Sequence, residues 1–240
     1  MLGAAKLALV LSGMAVIPQG TYSPLYATKG AERVAVRGFA LDREPVTRGE
    51  FLEFVRRNPE WRRSAAKRTA ADQGYLSEWT SDLSAGNASD LRRPVTSVSR
   101  NAALAYCSAK GKRLPTSSEW EYAAAASENR RDAARDRTFI SRLVGFYRNR
   151  TSGRAGVVGK STANVYGVRD LHELVWELTA DPIHAAYGGH AHDMSCAGAA
   201  MGASDPSNYA AFMRYAVRSG VNDRTTMKTL GFRCAGTLAG

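Results

Sequence analysis

From Ser99 to Ser127 the chain reads SRNAALAYCSAKGKRLPTSSEWEYAAAAS, and this stretch restricts the backbone more than any other. Two helix-forming runs are split by the break Gly111 to Pro115. Gly111 can take the left-handed conformation that stops a helix, and Pro115 cannot continue one. Thr116, with Glu119 three positions on, writes a capping box that starts the next. The spacing therefore predicts helices over Ser99 to Lys110 and Thr116 to Ser127. Thr47 and Glu50 write a second capping box, and Phe51, Phe54 and Val55 share one face at helical spacing, which predicts a helix over Thr47 to Asn58. Val34 to Val36 and Val95 to Val98 read as short strands between turn-rich loops. Trp79, Trp120 and Trp176 are expected in the core.

These elements belong to one unit. No Pro/Gly/Ser-rich linker and no internal repeat interrupts the 240 residues, and 44% hydrophobic with 23% charged residues excludes a disordered chain. The formal charge of +11 favours encounters with acidic partners. Arginines gather at Arg56 to Arg68 around Trp61 and at Arg130 to Arg150 around Phe146 and Tyr147. No nucleic-acid-binding motif accompanies them, so they are read as solvated faces and no nucleic-acid partner is expected. Met1 to Ile17 is too short and interrupted for a membrane span. Residues 1–12 read as the remnant of a secretory signal, with Leu7 to Leu11 as its apolar part, leaving a domain over 13–236.

A second constellation is NVYGVRDLHELVWEL, Asn164 to Leu178. Its carboxylates Asp170 and Glu177 flank an apolar centre containing Trp176. Such a pair suits a hard cation, or else caps and salt-bridges locally, Arg169 being a candidate partner.

With GMAVIPQGTY (Gly13 to Tyr22), FALDREPVTRGEFLEFV (Phe39 to Val55) and the closing Gly231-Phe232-Arg233-Cys234-Ala235, these blocks resemble, in order, the sulfatase-modifying-factor family, whose founding member is the formylglycine-generating enzyme. The resemblance implies an α+β fold related to C-type lectins, a single domain rich in irregular backbone. It also implies a disulfide between Cys107 and Cys234. That bridge would be worth roughly 4 to 5 kcal/mol in the chain-entropy model and would place the protein in an oxidising compartment, periplasmic or secreted from a bacterium. The alternative is two buried thiols.

The resemblance further implies calcium, held by the side chains of Asp170 and Glu177 and the carbonyls of Glu173 and Val175. Oxidase members of the family hold Cu(I) with two cysteines five positions apart. Cys196 matches the first, the catalytic residue if activity is retained, and Met201 stands at the second. A thioether accepts Cu(I) but carries no charge and cannot cycle through a disulfide. Copper bound by Cys196, Met201 and His190 or His192 is one reading of this segment. A solvated loop over His184 to His192, with Met201 in the core, is the other.

CAGAAMGASDPSNYAAFMRYAVRS and RNPEWRRSAAKR resemble a bacterial branch often found beside copper-containing nitrite reductase. That likeness implies an accessory or maturation factor that binds a protein or peptide client, such as a copper enzyme. A copper-dependent oxidase of a sulfatase cysteine is the alternative, and a lectin-like binding module is the second. The iron sulfoxide synthases that share the domain need a His-rich helical domain, and the sequence contains no such stretch.

Overall fold

The computed structural model describes residues 12–25, 33–149, 155–181 and 208–238. The remnant signal expected over 1–12 lies almost wholly outside the described residues, and the copper residues His190, His192, Cys196 and Met201 lie entirely outside them. No helix among the described residues is long and apolar enough to cross a membrane.

The strands are short. β1 (Met14–Ile17), β4 (Phe39–Asp42) and β7 (Ala235–Thr237) form an antiparallel sheet in the order β1-β4-β7. β2 (Gly20–Tyr22) pairs with β3 (Val34–Val36), and β5 (Trp176–Glu177) runs parallel to β6 (Leu230–Gly231). The helices are α1 (Arg48–Arg57), α2 (Arg100–Ala109), α3 (Ser117–Ala124), α4 (Arg137–Asn149) and α5 (Tyr209–Ser219). This mixture of helices and short strands is the expected α+β class.

Both capping boxes form. Thr47 and Glu50 exchange side-chain and backbone bonds at the start of α1, and Thr116 and Glu119 do so at the start of α3. Gly111 takes φ 69° and turns the chain after α2, where Lys112 N donates to the Cys107 carbonyl at 2.8 Å. Arg113 then exchanges two backbone bonds with Ala235. That pairing sets the end of α2 beside β7 and brings Cys107 to Cys234, whose sulfurs are bonded with Cα atoms 5.7 Å apart. Both cysteines are fully buried in the largest apolar cluster, where Phe51 stacks on Tyr106 and packs edge-on to Phe232.

Two expectations need correction. Val95 to Val98 is not a strand: Val95 N bonds to Val46, Ser97 N to Met227, and Leu76 N to the Ser97 carbonyl, so its backbone serves three segments and no ladder propagates. Ser97 also sits at φ 56°, outside the strand region. The second member of the helix pair ends at Ala124, three residues early, because Ser127 N turns to the Arg130 carbonyl. Arg137, Arg142 and Arg148 are exposed, as expected, and they lie on α4, whose Phe139, Ile140, Leu143 and Tyr147 are buried at helical spacing.

Candidate functional site

The site is built around charges that have left water. Arg233 follows Phe232 in the turn before β7, and its side chain, like that of Glu177 on β5, is 0% exposed. Arg233 Nε donates to Glu177 Oε2 and Nη2 to Oε1, both at 2.8 Å, and Trp120 Nε1 adds a bond to Oε2 at 2.7 Å. The remaining guanidinium hydrogens go to the carbonyls of Asp42, Arg43 and Arg169. One side chain thus ties together β4, the 169–177 segment and the C-terminal strand.

A second buried network lies on the other side of Trp120. Arg214 of α5 grips Glu121 of α3 through Nε and Nη2, and Arg218, one turn later, donates to Glu121 Oε1 at 2.6 Å while its guanidinium lies 4.4 Å from the Trp120 ring centre. Arg214 Nη1 also donates to the Tyr147 hydroxyl at 3.1 Å. Tyr147 is 2.8 Å from His172 Nδ1, and His172 Nε2 is 3.1 Å from the Ala124 carbonyl. A carbonyl can only accept, so Nε2 carries the hydrogen and, in the neutral ring, Nδ1 accepts from Tyr147.

Burial alone would raise the Glu121 carboxyl, but the charges of Arg214 and Arg218 outweigh it and lower it from 4.5 to about 2. A carboxylate held this way is a poor proton acceptor, so this network positions its neighbours and does not act as an acid–base pair. The consequence for stability has a definite sign. A depressed folded-state value stabilises the fold fully above the unfolded value and is lost as pH falls from 4.5 toward 2. The loss is on the order of 3 kcal/mol. Urea unfolding between pH 6 and pH 2 is expected to show a steeper acid loss for wild type than for Glu121→Gln; parallel curves would refute the assignment.

Between the end of α3, the inner face of α4 and the first turns of α5 lies a cavity of about 710 Å³, with Glu121 and Arg214 in its lining. It adjoins the described chain at Tyr22 to Leu25 and at Asn208.

Asp170, at φ 57° and 2% exposed, accepts bonds from the backbone N–H groups of Gly159 and Ser161. It has no cationic partner among the described residues. Burial raises the nearby Glu173 carboxyl, and the charge of Asp170 adds to the shift. A buried carboxylate without a countercharge suits a cation, so Asp170 would be the charged ligand of a calcium ion, and Glu173 and Val175 are the residues that would add carbonyls. Glu177 would have to be shared with Arg233. Among the described residues no three His, Cys, Asp or Glu side chains gather as a metal site.

The family model of the sulfatase-modifying factor enzyme 1-like domain matches residues 4–238. The chain belongs to this family. An inactive C-alpha-formylglycine-generating enzyme 2 from Bos taurus is 30% identical over 241 residues, 84% of this chain and 78% of its own length. The formylglycine-generating enzyme of Mycobacterium tuberculosis is 26% identical over 270 residues, covering 84% and 88%. Among solved structures, PvdO from Pseudomonas aeruginosa covers 94% of both chains at 18% identity and a TM-score of 0.48.

In this sulfatase-modifying-factor domain, then, the disulfide partners meet, Asp170 lies beside Glu173, and Glu177 turns to Arg233 instead of Arg169. Sequence reasoning missed Glu121, Tyr147, His172, Arg214 and Arg233 as a buried polar system. Arg233 carried a usable signal: an arginine between Phe232 and Cys234 in an apolar run is buried and needs an acidic partner.

Proposed function

We propose that this family member is a non-oxidising accessory or maturation factor that binds a protein client. A copper enzyme such as nitrite reductase is the client class to which the sequence resemblance points. The observation that carries this reading is the cysteine inventory. The chain has three cysteines, and two are joined as Cys107–Cys234, which leaves Cys196 as one thiol. One thiol, with Met201 in place of the second cysteine in the sequence, can bind soft Cu(I) but cannot supply the two thiolates, or the internal disulfide, of the oxidase chemistry. The word inactive in the name of the Bos taurus relative supports the same reading. The buried cross-link supports a periplasmic or secreted location, where such bonds persist.

Incubation with copper, O₂ and a peptide containing Cys-x-Pro-x-Arg is expected to yield no more aldehyde than the Cys196→Ser variant does. Turnover that depends on Cys196 would replace the accessory reading with the oxidase one. Metal analysis separates the two cations. Copper should fall to background in Cys196→Ser, and calcium should fall in Asp170→Asn, a change that keeps a residue tolerant of positive φ while removing the charge. Equal metal content in variant and wild type removes the corresponding cation. Co-expressed copper nitrite reductase should carry more copper beside wild type than beside Cys196→Ser.

A further inference from the structure

The 710 Å³ cavity is large enough for several groups of a ligand and is lined in two different ways. Part of its lining is apolar: Leu25, Phe139, Ile140 and Leu143 contribute to it from largely buried positions. Its outer lining carries Arg33, Arg130 and Arg135 against Asp132 and Asp136. The aspartates neutralise this edge poorly. Asp136 spends Oδ1 on the N–H groups of Thr138 and Phe139 as the cap of α4, and Asp132 spends one oxygen on Ala134 N. Their ion pairs, Arg33 to Asp132 at 3.5 Å and Arg130 to Asp136 at 3.6 Å, are long and exposed, so they contribute little and exchange readily. Arg135 is exposed and has no acidic partner among the described residues. Arg214, also in the lining, shares the single charge of Glu121 with Arg218, which lies outside it.

An occupant of this cavity gains by burying apolar side chains against α4 and by placing an anionic group near Arg135. We propose that the cavity is a binding site for a client peptide segment in which large apolar side chains are followed by a carboxylate. This deepens the accessory reading and takes from it only that the ligand is a peptide. The carboxylate sets the orientation, because it can exchange places with Asp132 or Asp136 at the arginines, whereas an amide or ammonium cannot.

Calorimetric or ligand-observed NMR titration with acetyl-Leu-Phe-Glu-amide, and with its Gln and Lys counterparts, tests the site on the full chain. The Glu peptide is expected to bind roughly tenfold more tightly than the Lys peptide, a difference of one power of ten in Kd. Arg135→Glu should abolish that preference. Arg137→Glu, the same charge change at an exposed position outside the cavity lining, should preserve it. Ala134→Trp, at a half-buried lining position, should weaken all three peptides by filling the space. Equal affinity for the three peptides, no binding at millimolar concentration, or identical behaviour of the two charge variants overturns the proposal. Turnover of the Cys-x-Pro-x-Arg peptide would sink the accessory reading and leave this site standing, so the two failures are distinguishable.

Discussion

The Cys107→Ala, Cys234→Ala double variant is expected to lose about 4 to 5 kcal/mol of unfolding free energy. The bridge joins residues 127 apart, so opening it returns a large loop entropy to the unfolded chain. Alanine is preferable to serine for this test, because both positions are fully buried and a serine hydroxyl would add its own desolvation cost. The effect is large relative to what a domain possesses, since total stability is commonly only about 5 to 15 kcal/mol. Urea unfolding of the oxidised wild type, the reduced wild type and the double variant measures it. The two bridge-less forms should unfold together at much lower urea than the oxidised one. Coincidence of the oxidised and reduced curves would mean that the apolar cluster around Phe51, Tyr106 and Phe232 holds this end of the chain without the cross-link.

How far the fold could be read depended on whether the information was local. The capping boxes at Thr47 and Thr116 and the left-handed Gly111 are decided within a few residues, and all three form. Val95 to Val98 has the composition of a strand, but its bonding partners lie at Val46, Leu76 and Met227, which no local pattern announces. α5 is illegible for a different reason: it carries arginines at Arg214 and Arg218, yet Arg214 is buried, and Arg218 lies against Trp120. In α5 the cation stands on the buried face because Glu121 waits there on another helix, a long-range pairing invisible to periodicity. The disulfide became legible only through the family resemblance, since three cysteines allow three pairings and spacing does not choose among them. Asp170 and Glu177 stand out in the sequence as acids in an apolar segment. Their separate fates, one beside Glu173 and one against Arg233, follow from the C-terminal strand that lies more than fifty residues on.

Arg233→Met is expected to be at least as damaging as loss of a typical buried ion-pair partner, about 3 to 5 kcal/mol, because it leaves Glu177 charged and unpaired at zero exposure. It also leaves the carbonyls of Asp42, Arg43 and Arg169 without their donor. Glu177→Gln strands a buried guanidinium in the same way but keeps an acceptor oxygen and leaves those carbonyls bonded, so its cost should be smaller. The double replacement, Arg233→Met with Glu177→Leu, removes both charges and should recover part of the loss; the shortfall then measures the carbonyl bonds together with the Trp120 Nε1 bond to Glu177, which no ion-pair term contains. Urea unfolding of wild type, Arg233→Met, Glu177→Leu and the double variant closes that cycle, with Glu177→Gln measured beside it. Additive losses with no recovery would show that Arg233 acts only through backbone carbonyls. A cost below about 1 kcal/mol for Arg233→Met would mean that Glu177 finds water or a proton instead, and that the 169–177 segment is held in place by something other than this arginine.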